Sequence, residues 1–252
     1  MIKRKTEREI NIMRRAGKIA AAARLEAGKM VAVGATTQSI NKRLHDFILS
    51  RGAVPAFLNY NGFPASVCIS VNEQVIHGIP SSRKLIDGDV VSIDVGAIKD
   101  GYVGDCAATF IVGVGSIESQ RLIKITQECF FEGLKFARIG YRVSDISRAI
   151  QQYAESNGYN LVREYVGHGV GAKMHEPPEV PNYIENPRKK PDPRLMPGMT
   201  LAIEPMVNAG EAGIRVLDDG WTVVTVDGET SAHYENTVLI TDGDPEILTY
   251  DD

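Results

Sequence analysis

The chain has little with which to be stapled, secreted or embedded in a membrane. Only three cysteines, Cys68, Cys106 and Cys129, occur in 252 residues, with no CxxC pair and no even set. That excludes a disulfide framework, and reduced thiols in a cytoplasmic protein are the simplest reading. No apolar run approaches the roughly 20 residues of a membrane span. The opening Met1-Ile2-Lys3-Arg4-Lys5-Thr6-Glu7-Arg8-Glu9 has no apolar signal core, and its early acids do not suit an organelle transit peptide. An excess of charge is missing too. The 28 basic and 32 acidic residues leave a net charge of -4, so nothing global selects nucleic acid or an anionic membrane. Gly113-Val114-Gly115 and the glycines at 167, 169 and 171 lack phosphate-loop spacing and a following Lys-Ser/Thr. No serine sits in a nucleophile-elbow context.

What is present is an internal repeat. Hydrophobic residues make up 43% of the chain, enough for one large domain or two small ones. Gly88-Asp89-Val90-Val91-Ser92-Ile93-Asp94 matches Gly198-Met199-Thr200-Leu201-Ala202-Ile203-Glu204, and both end in an acid. A shift of 106 lays Gly34 to Ile40 on Gly140 to Ile146; Leu44 then meets Ile150, Phe47 meets Tyr153 and Gly52 meets Gly158. Both segments read as helices closed by a glycine able to take the left-handed position. An earlier helix fits Thr6 to about Lys29, with Thr6-x-x-Glu9 as a capping box. Its counterpart is about Glu118 to Ala137. The reading is one domain over 1–252, duplicated as approximately 6–112 and 113–241. Glu185 to Arg194, rich in proline and charge, reads as a surface excursion, with Arg188-Lys189-Lys190 solvated.

Second acids follow in each half, Asp105 and Glu235, and His168 lies between the halves in Gly167-His168-Gly169. Val90 to Ala97 and Tyr102 to Val112 are strand-like runs around Asp100-Gly101, a strong hairpin signal. A two-residue turn sets Asp94 opposite Ala107 and puts Asp105 on the same face, one diagonal step away. A three-residue turn without a bulge would put them on opposite faces. Four converging carboxylates would repel and protonate unless cations balance them. Two divalent ions do so, and bound metal lowers the pKa of water. Oxygen donors with one imidazole suit Mn, Fe, Co or Zn. The glycines beside His168 serve the backbone alone, or let metal and substrate approach. His77 and His175 are candidates for hydrogen bonds to a substrate amide or oxyanion. Cys68 reads as packing rather than as a nucleophile.

Several motifs fall in one family order: Ser92-Ile93-Asp94-Val95, Gly104-Asp105, Gly167-His168-Gly169, Met174-His175-Glu176, Ala202-Ile203-Glu204-Pro205-Met206 and Asp219-Gly220-Trp221-Thr222-Val223. On these the chain resembles the type 1 methionine aminopeptidases, bacterial form, over nearly all its length. The resemblance implies an α/β pita-bread fold, with two pseudo-twofold-related halves, a central antiparallel sheet and outer helices. It implies that Asp94, Asp105, His168, Glu204 and Glu235 bind two divalent metals, with Asp105 and Glu235 bridging. Glu204 would also shuttle the proton of a metal-bridging hydroxide that attacks the first peptide bond. His77 and His175 would contact substrate and stabilise the tetrahedral intermediate. Tyr60, Phe63, Cys68 and Trp221 would line the methionine pocket, and Asn72, Gln74 and Ser231 match a monovalent-cation site. Met174 stands where family members often carry an aromatic residue.

The substrate implied is the N-terminus of a nascent polypeptide with a small second residue. Transient ribosome contact, a monomer, a cytoplasmic location and no sequence-specific nucleic acid or membrane partner accompany that expectation. Prolidases share the fold and metal set but need a further N-terminal domain, for which the first helix begins too early. A non-catalytic binding protein on this fold would be expected to have lost ligands, whereas all five positions and both accessory histidines are present.

Overall fold

The computed structural model describes residues 1–184 and 191–250. Arg188-Lys189-Lys190 and most of the proline-rich stretch therefore lie outside the described residues. The chain opens with α1 (Glu7–Met30) and α2 (Thr37–Ser50), followed by β1 (Val54–Pro55), β2 (Cys68–Val71), β3 (Gln74–Ile76), β4 (Val90–Lys99) and β5 (Tyr102–Ile111). It continues with α3 (Ile117–Leu134), α4 (Val143–Ser156), β6 (Asn160–Leu161), β7 (Gly167–Gly169), β8 (Glu176–Val180) and β9 (Thr200–Ile203). Then come β10 (Met206–Asn208), β11 (Ile214–Val216), β12 (Val223–Thr225), β13 (Ser231–His233), β14 (Glu235–Leu239) and β15 (Glu246–Ile247).

The helices start where the sequence signals a start. Thr6 and Glu9 form the expected capping box, with Thr6 N–H donating to the Glu9 carboxylate at 2.7 Å. The buried face of α1 carries Ala16, Gly17, Ala20, Ala23 and Ala27, and these small residues let α1 lie close against β4 and β5. A Cβ on Gly104 of β5 would come within 2.5 Å of Gly17 N, so this approach needs glycine. α2 and α4 are each 14 residues long and start 106 positions apart. Gly52 (φ 64°) and Gly158 (φ 84°) follow them in the left-handed region. α3 stops at Leu134, short of the expected Ala137, because residues 136–138 make tight turns to Gly133, Leu134 and Phe136 instead of helical bonds.

The strands form a nine-stranded sheet in the order β1-β4-β5-β14-β9-β7-β8, with β2 paired to β4 and β15 to β14. Smaller sheets are β13-β10-β6 and β11-β12-β3. All pairings in the large sheet are antiparallel. One apolar cluster packs α1 and α2 on β2, β4 and β5, around Ile40, Leu44, Ile69, Ile93 and Val95. Another packs α3 and α4 on the second part, around Phe130, Ile146, Ile150, Leu201 and Val238.

Local hydrogen bonds recur between the two parts. Thr37 N–H donates to Arg83 C=O, and Val143 N–H to Pro193 C=O. Leu85 N–H donates to Ala35 C=O, and Leu195 N–H to Tyr141 C=O. Gly88 (φ 86°) and Gly198 (φ 85°) occupy matching turns ahead of β4 and β9. Pro191 to Arg194, the described part of the expected surface excursion, are exposed or half-buried, and the segment is anchored. Asp192 Oδ1 accepts Ser144 N–H at 3.0 Å and Oδ2 accepts the Ser144 hydroxyl at 2.9 Å, so the segment is tied to the start of α4.

Candidate metal centre and substrate pocket

The hairpin between β4 and β5 turns on two residues, Asp100 (φ 48°) and Gly101 (φ 82°), both left-handed as a type I′ turn requires. The register pairs Asp94 with Ala107 and Gly96 with Asp105, so both acids face one side. β14 lies on the other edge of β5 and sets Glu235 opposite Ala107. β9 ends at Ile203, immediately before Glu204, and β7 carries His168 opposite Ala202. Thus a hairpin and three further strands deliver all five candidate ligand residues to one cavity of about 300 Å³.

Donor atoms of Asp105, His168 and Glu235 lie within 4.8 Å of one another, and all three residues are buried. His168 Nε2 is 3.5 Å from Glu204 Oε1 and 3.9 Å from Asp105 Oδ2. His168 Nδ1 is 2.9 Å from Gly169 C=O. A carbonyl can only accept, so Nδ1 carries the proton and Nε2 turns a lone pair to the cavity. The glycines beside it serve the backbone. A Cβ at Gly167 would meet Ala202 O at 2.4 Å, and one at Gly169 would meet Pro177 O at 2.5 Å, so neighbouring strands fill the space they leave.

The electrostatics favour bound positive charge. Burial raises the carboxyls of Asp94, Glu204 and Glu235 well above their ordinary range, and repulsion among the acids adds to it. Burial pushes Asp105 up to about 7. Asp94 Oδ1, Asp105 Oδ1 and Glu235 Oε1 are buried without a hydrogen-bond partner. Burial, with His175 nearby, lowers His168 to about 3, the neutral form that a metal ligand requires. Unpaired carboxylate oxygens beside a neutral imidazole suit a divalent cation.

The cavity is also lined by apolar and aromatic side chains. Cys68 pairs with Asp94 across β2 and β4, which brings its thiol to the cavity. Burial, then the charges of Asp94, Asp105 and Glu235, raises that thiol's pKa well above the ordinary value, so it packs as a neutral thiol. Phe63 stacks edge-on to Trp221 at 5.2 Å. Asp219 Oδ1 accepts the N–H groups of both Trp221 and Thr222 at 2.8 Å and so fixes the indole-bearing turn. Met174 is buried and lines the cavity in its own right. Tyr60 does more than line the wall: its hydroxyl lies 2.8 Å from His175 Nδ1.

The accessory histidines flank the cluster. The His175 ring lies tilted against the His168 ring, 4.2 Å between centroids, and His175 precedes β8. His77 follows β3 at φ 57°, an uncommon conformation for a residue with a side chain, and its ring meets Tyr165 edge-on at 5.4 Å. Burial, then His175, lowers His77 to about 4. Asn72 and Ser231 also come together, with Ser231 N–H donating to Asn72 C=O at 2.9 Å, while Gln74 Oε1 accepts Val71 N–H.

Sequence reasoning missed three residues here. His233 Nε2 lies 3.6 Å from Glu204 Oε2. Asn182, fully buried, donates to Glu204 C=O at 2.9 Å. Tyr165 lines the cavity beside His77. His233 and Tyr165 stand within three residues of candidate ligands, and that proximity was the available signal.

The profile of metallopeptidase family M24 matches residues 11–242. A methionine aminopeptidase of Clostridium perfringens is 53% identical over 249 residues, covering 99% of each chain. One from Clostridium acetobutylicum is 51% identical over 250 residues, again covering 99% of each. The crystal structure of a methionine aminopeptidase from Thermotoga maritima matches with a TM-score of 0.96 at 43% identity, covering 100% of both chains. The architecture described above is the pita-bread fold of these neighbours.

Proposed function

The chain belongs to metallopeptidase family M24, among its methionine aminopeptidases, and on that premise we propose how its pocket removes an N-terminal methionine. One observation carries the reading: five ligand-type side chains line the same cavity as Tyr60, Phe63, Cys68 and Trp221. Asp94, Asp105, His168, Glu204 and Glu235 would hold two divalent ions, drawn from Co, Mn, Fe or Zn. Two such ions offset the four buried charges that burial and repulsion otherwise drive to protonate. Metal bound there supplies Lewis acidity and an activated water for amide hydrolysis.

The remaining roles belong to the chain. Phe63 and Trp221 offer ring edges and faces to a thioether, which is flexible, polarisable and favourable against aromatic rings. Cys68, a neutral thiol, adds a small apolar surface. Glu204 takes and returns the proton of the attacking water. His175, turned by the Tyr60 hydroxyl, and His77 donate to the carbonyl oxygen as it gains charge. Both rings crowd the residue after the scissile bond, which favours a small second side chain. Asn72, Gln74 and Ser231 would give backbone oxygens to a monovalent cation. The reading takes 1–252 as one catalytic domain with duplicated halves at approximately 6–112 and 113–241. It includes a nascent polypeptide as substrate, brief ribosome contact, a monomeric state and a cytoplasmic location. No helix among the described residues is long and apolar enough to cross a membrane.

The test is kcat/KM on Met-Ala-Ser, Leu-Ala-Ser, Lys-Ala-Ser and Met-Lys-Ser. Met-Ala-Ser is expected to lead. The margin over a first residue differing by about a methylene should be modest, about 1–3 kcal/mol. Rejection of Lys should be stronger, because its charge must be desolvated. Equal rates on the first three peptides would remove the methionine pocket. Efficient cleavage of Met-Lys-Ser would remove the crowding argument alone.

A further inference from the structure

β5 and β14 join the two parts of the chain through a ladder only two pairs long, Glu235 opposite Ala107 and Asn236 opposite Cys106. Continued one step, that register would set Thr237 opposite Asp105. Continued two steps the other way, it would set His233 opposite Thr109. At both places a threonine hydroxyl stands in for the backbone bonds. Thr237 Oγ1 accepts Asp105 N–H at 3.1 Å and donates to Asp105 C=O at 2.9 Å. Thr109 Oγ1 accepts His233 N–H at 2.9 Å and donates to His233 C=O at 2.8 Å. The two threonines come from opposite strands, so the clamps are reciprocal.

Buried polar groups back the first clamp. Arg24 of α1, 8% exposed, donates from Nη1 to Glu235 C=O at 3.0 Å and to Asn236 Oδ1 at 2.9 Å. Its Nη2 donates to Thr249 C=O at 3.1 Å. Thr249 Oγ1 accepts Thr237 N–H at 3.0 Å and lies 3.0 Å from Asn236 Oδ1. Strands in a regular ladder sit about 4.7–4.9 Å apart. A hydroxyl interposed between two backbones lets them part while their register and their hydrogen bonds survive. The parting falls at Asp105, one step beyond the Cys106–Asn236 pair and two beyond Ala107–Glu235, where donor atoms of Asp105 and Glu235 come near His168.

We infer that Thr237, backed by Arg24, is a positioning residue that fixes the separation of Asp105 and Glu235 before any metal binds. The inference rests on the reading of these two acids as metal ligands. Thr237→Val keeps the shape but leaves Asp105 N–H and C=O without a partner, whereas Thr237→Ser keeps the hydroxyl. Full-length protein stripped with EDTA is titrated with MnCl2 by calorimetry, well below the melting temperature of each variant. Thr237→Val is expected to weaken Mn binding about 10–100-fold, and Thr237→Ser to stay within about threefold of wild type. A Thr237→Val protein that melts earlier but binds Mn as wild type does would reduce Thr237 to a structural role and overturn the inference.

Should Thr237→Val not fold, amide hydrogen exchange on metal-free wild type decides. Asp105 and His233 amides should already be protected. Exchange at the rate of exposed amides until Mn is added would overturn pre-positioning. Cleavage of Met-Ala-Ser is scored separately. A Thr237→Val enzyme that binds Mn and cleaves normally defeats this inference and leaves the proposed activity standing.

Discussion

His233 Nε2 faces Glu204 Oε2 at 3.6 Å, while the other oxygen of Glu204 faces His168 Nε2 at 3.5 Å. One carboxylate thus stands between two buried imidazoles. Burial, with His77 nearby, lowers His233 to about 3, so the ring is neutral and its Nε2 is buried without a hydrogen-bond partner. A proton on Nε2 would give Glu204 Oε2 a neutral donor, the kind of outer partner that orients a carboxylate ligand. His233→Gln, which keeps an N–H donor, should retain most of the activity. His233→Leu should lose about 10–100-fold in kcat or metal affinity, as expected when a ligand's outer partner is removed. Equal kcat and Mn affinity in both variants would exclude an orienting role.

His175 packs against the His168 ring and its Nδ1 lies beside the Tyr60 hydroxyl, the place of a donor to substrate in the reading above. His175→Ala should lower kcat by about 10²–10³ with metal content unchanged, the loss typical of a transition-state donor. Tyr60→Phe should give a smaller loss of the same kind, since it frees the ring without removing it. Metal analysis of the purified variants separates the roles. Stoichiometric loss of metal in His175→Ala would make His175 a ligand.

Tyr102 in β5 donates to Glu9 Oε1 at 2.6 Å and joins the capping box of α1 to the sheet. That bond first, then the Thr6 bonds, lowers the Glu9 carboxyl to about 2 from an ordinary 4.5. A depressed folded-state pKa means the unfolded chain binds the proton more readily. The stabilisation is therefore present above pH 4.5 and is lost as pH falls toward 2. Tyr102→Phe should cost about 1–2 kcal/mol at neutral pH and flatten the dependence of stability on pH in that window. Urea melts across the acid range check it, and parallel curves for the two proteins would refute the coupling.

Much of this was readable in the sequence because the deciding interactions are local. The Thr6-x-x-Glu9 box, the 14-residue α2 and α4, and the Asp100-Gly101 turn each depend on neighbours in the chain. The turn alone put Asp94 and Asp105 on one face. The glycines beside His168 were ambiguous because their reason lies in Ala202 and Pro177, which only the folded sheet brings near. Asn182 was invisible for the same cause: it meets Glu204 across 22 positions. The clamps of Thr109 and Thr237 span well over a hundred positions, and a threonine in a strand reads simply as a strand former.

The most direct measurement follows methionine release from Met-Ala-Ser as EDTA-stripped protein is titrated with MnCl2, with bound metal counted alongside. Turnover should vanish on stripping, return with Mn and level off near two ions per chain. His168→Ala should stay folded, bind less Mn and fail to recover. Undiminished turnover in the stripped protein, or a His168→Ala variant that binds Mn and cleaves as wild type does, would contradict the account.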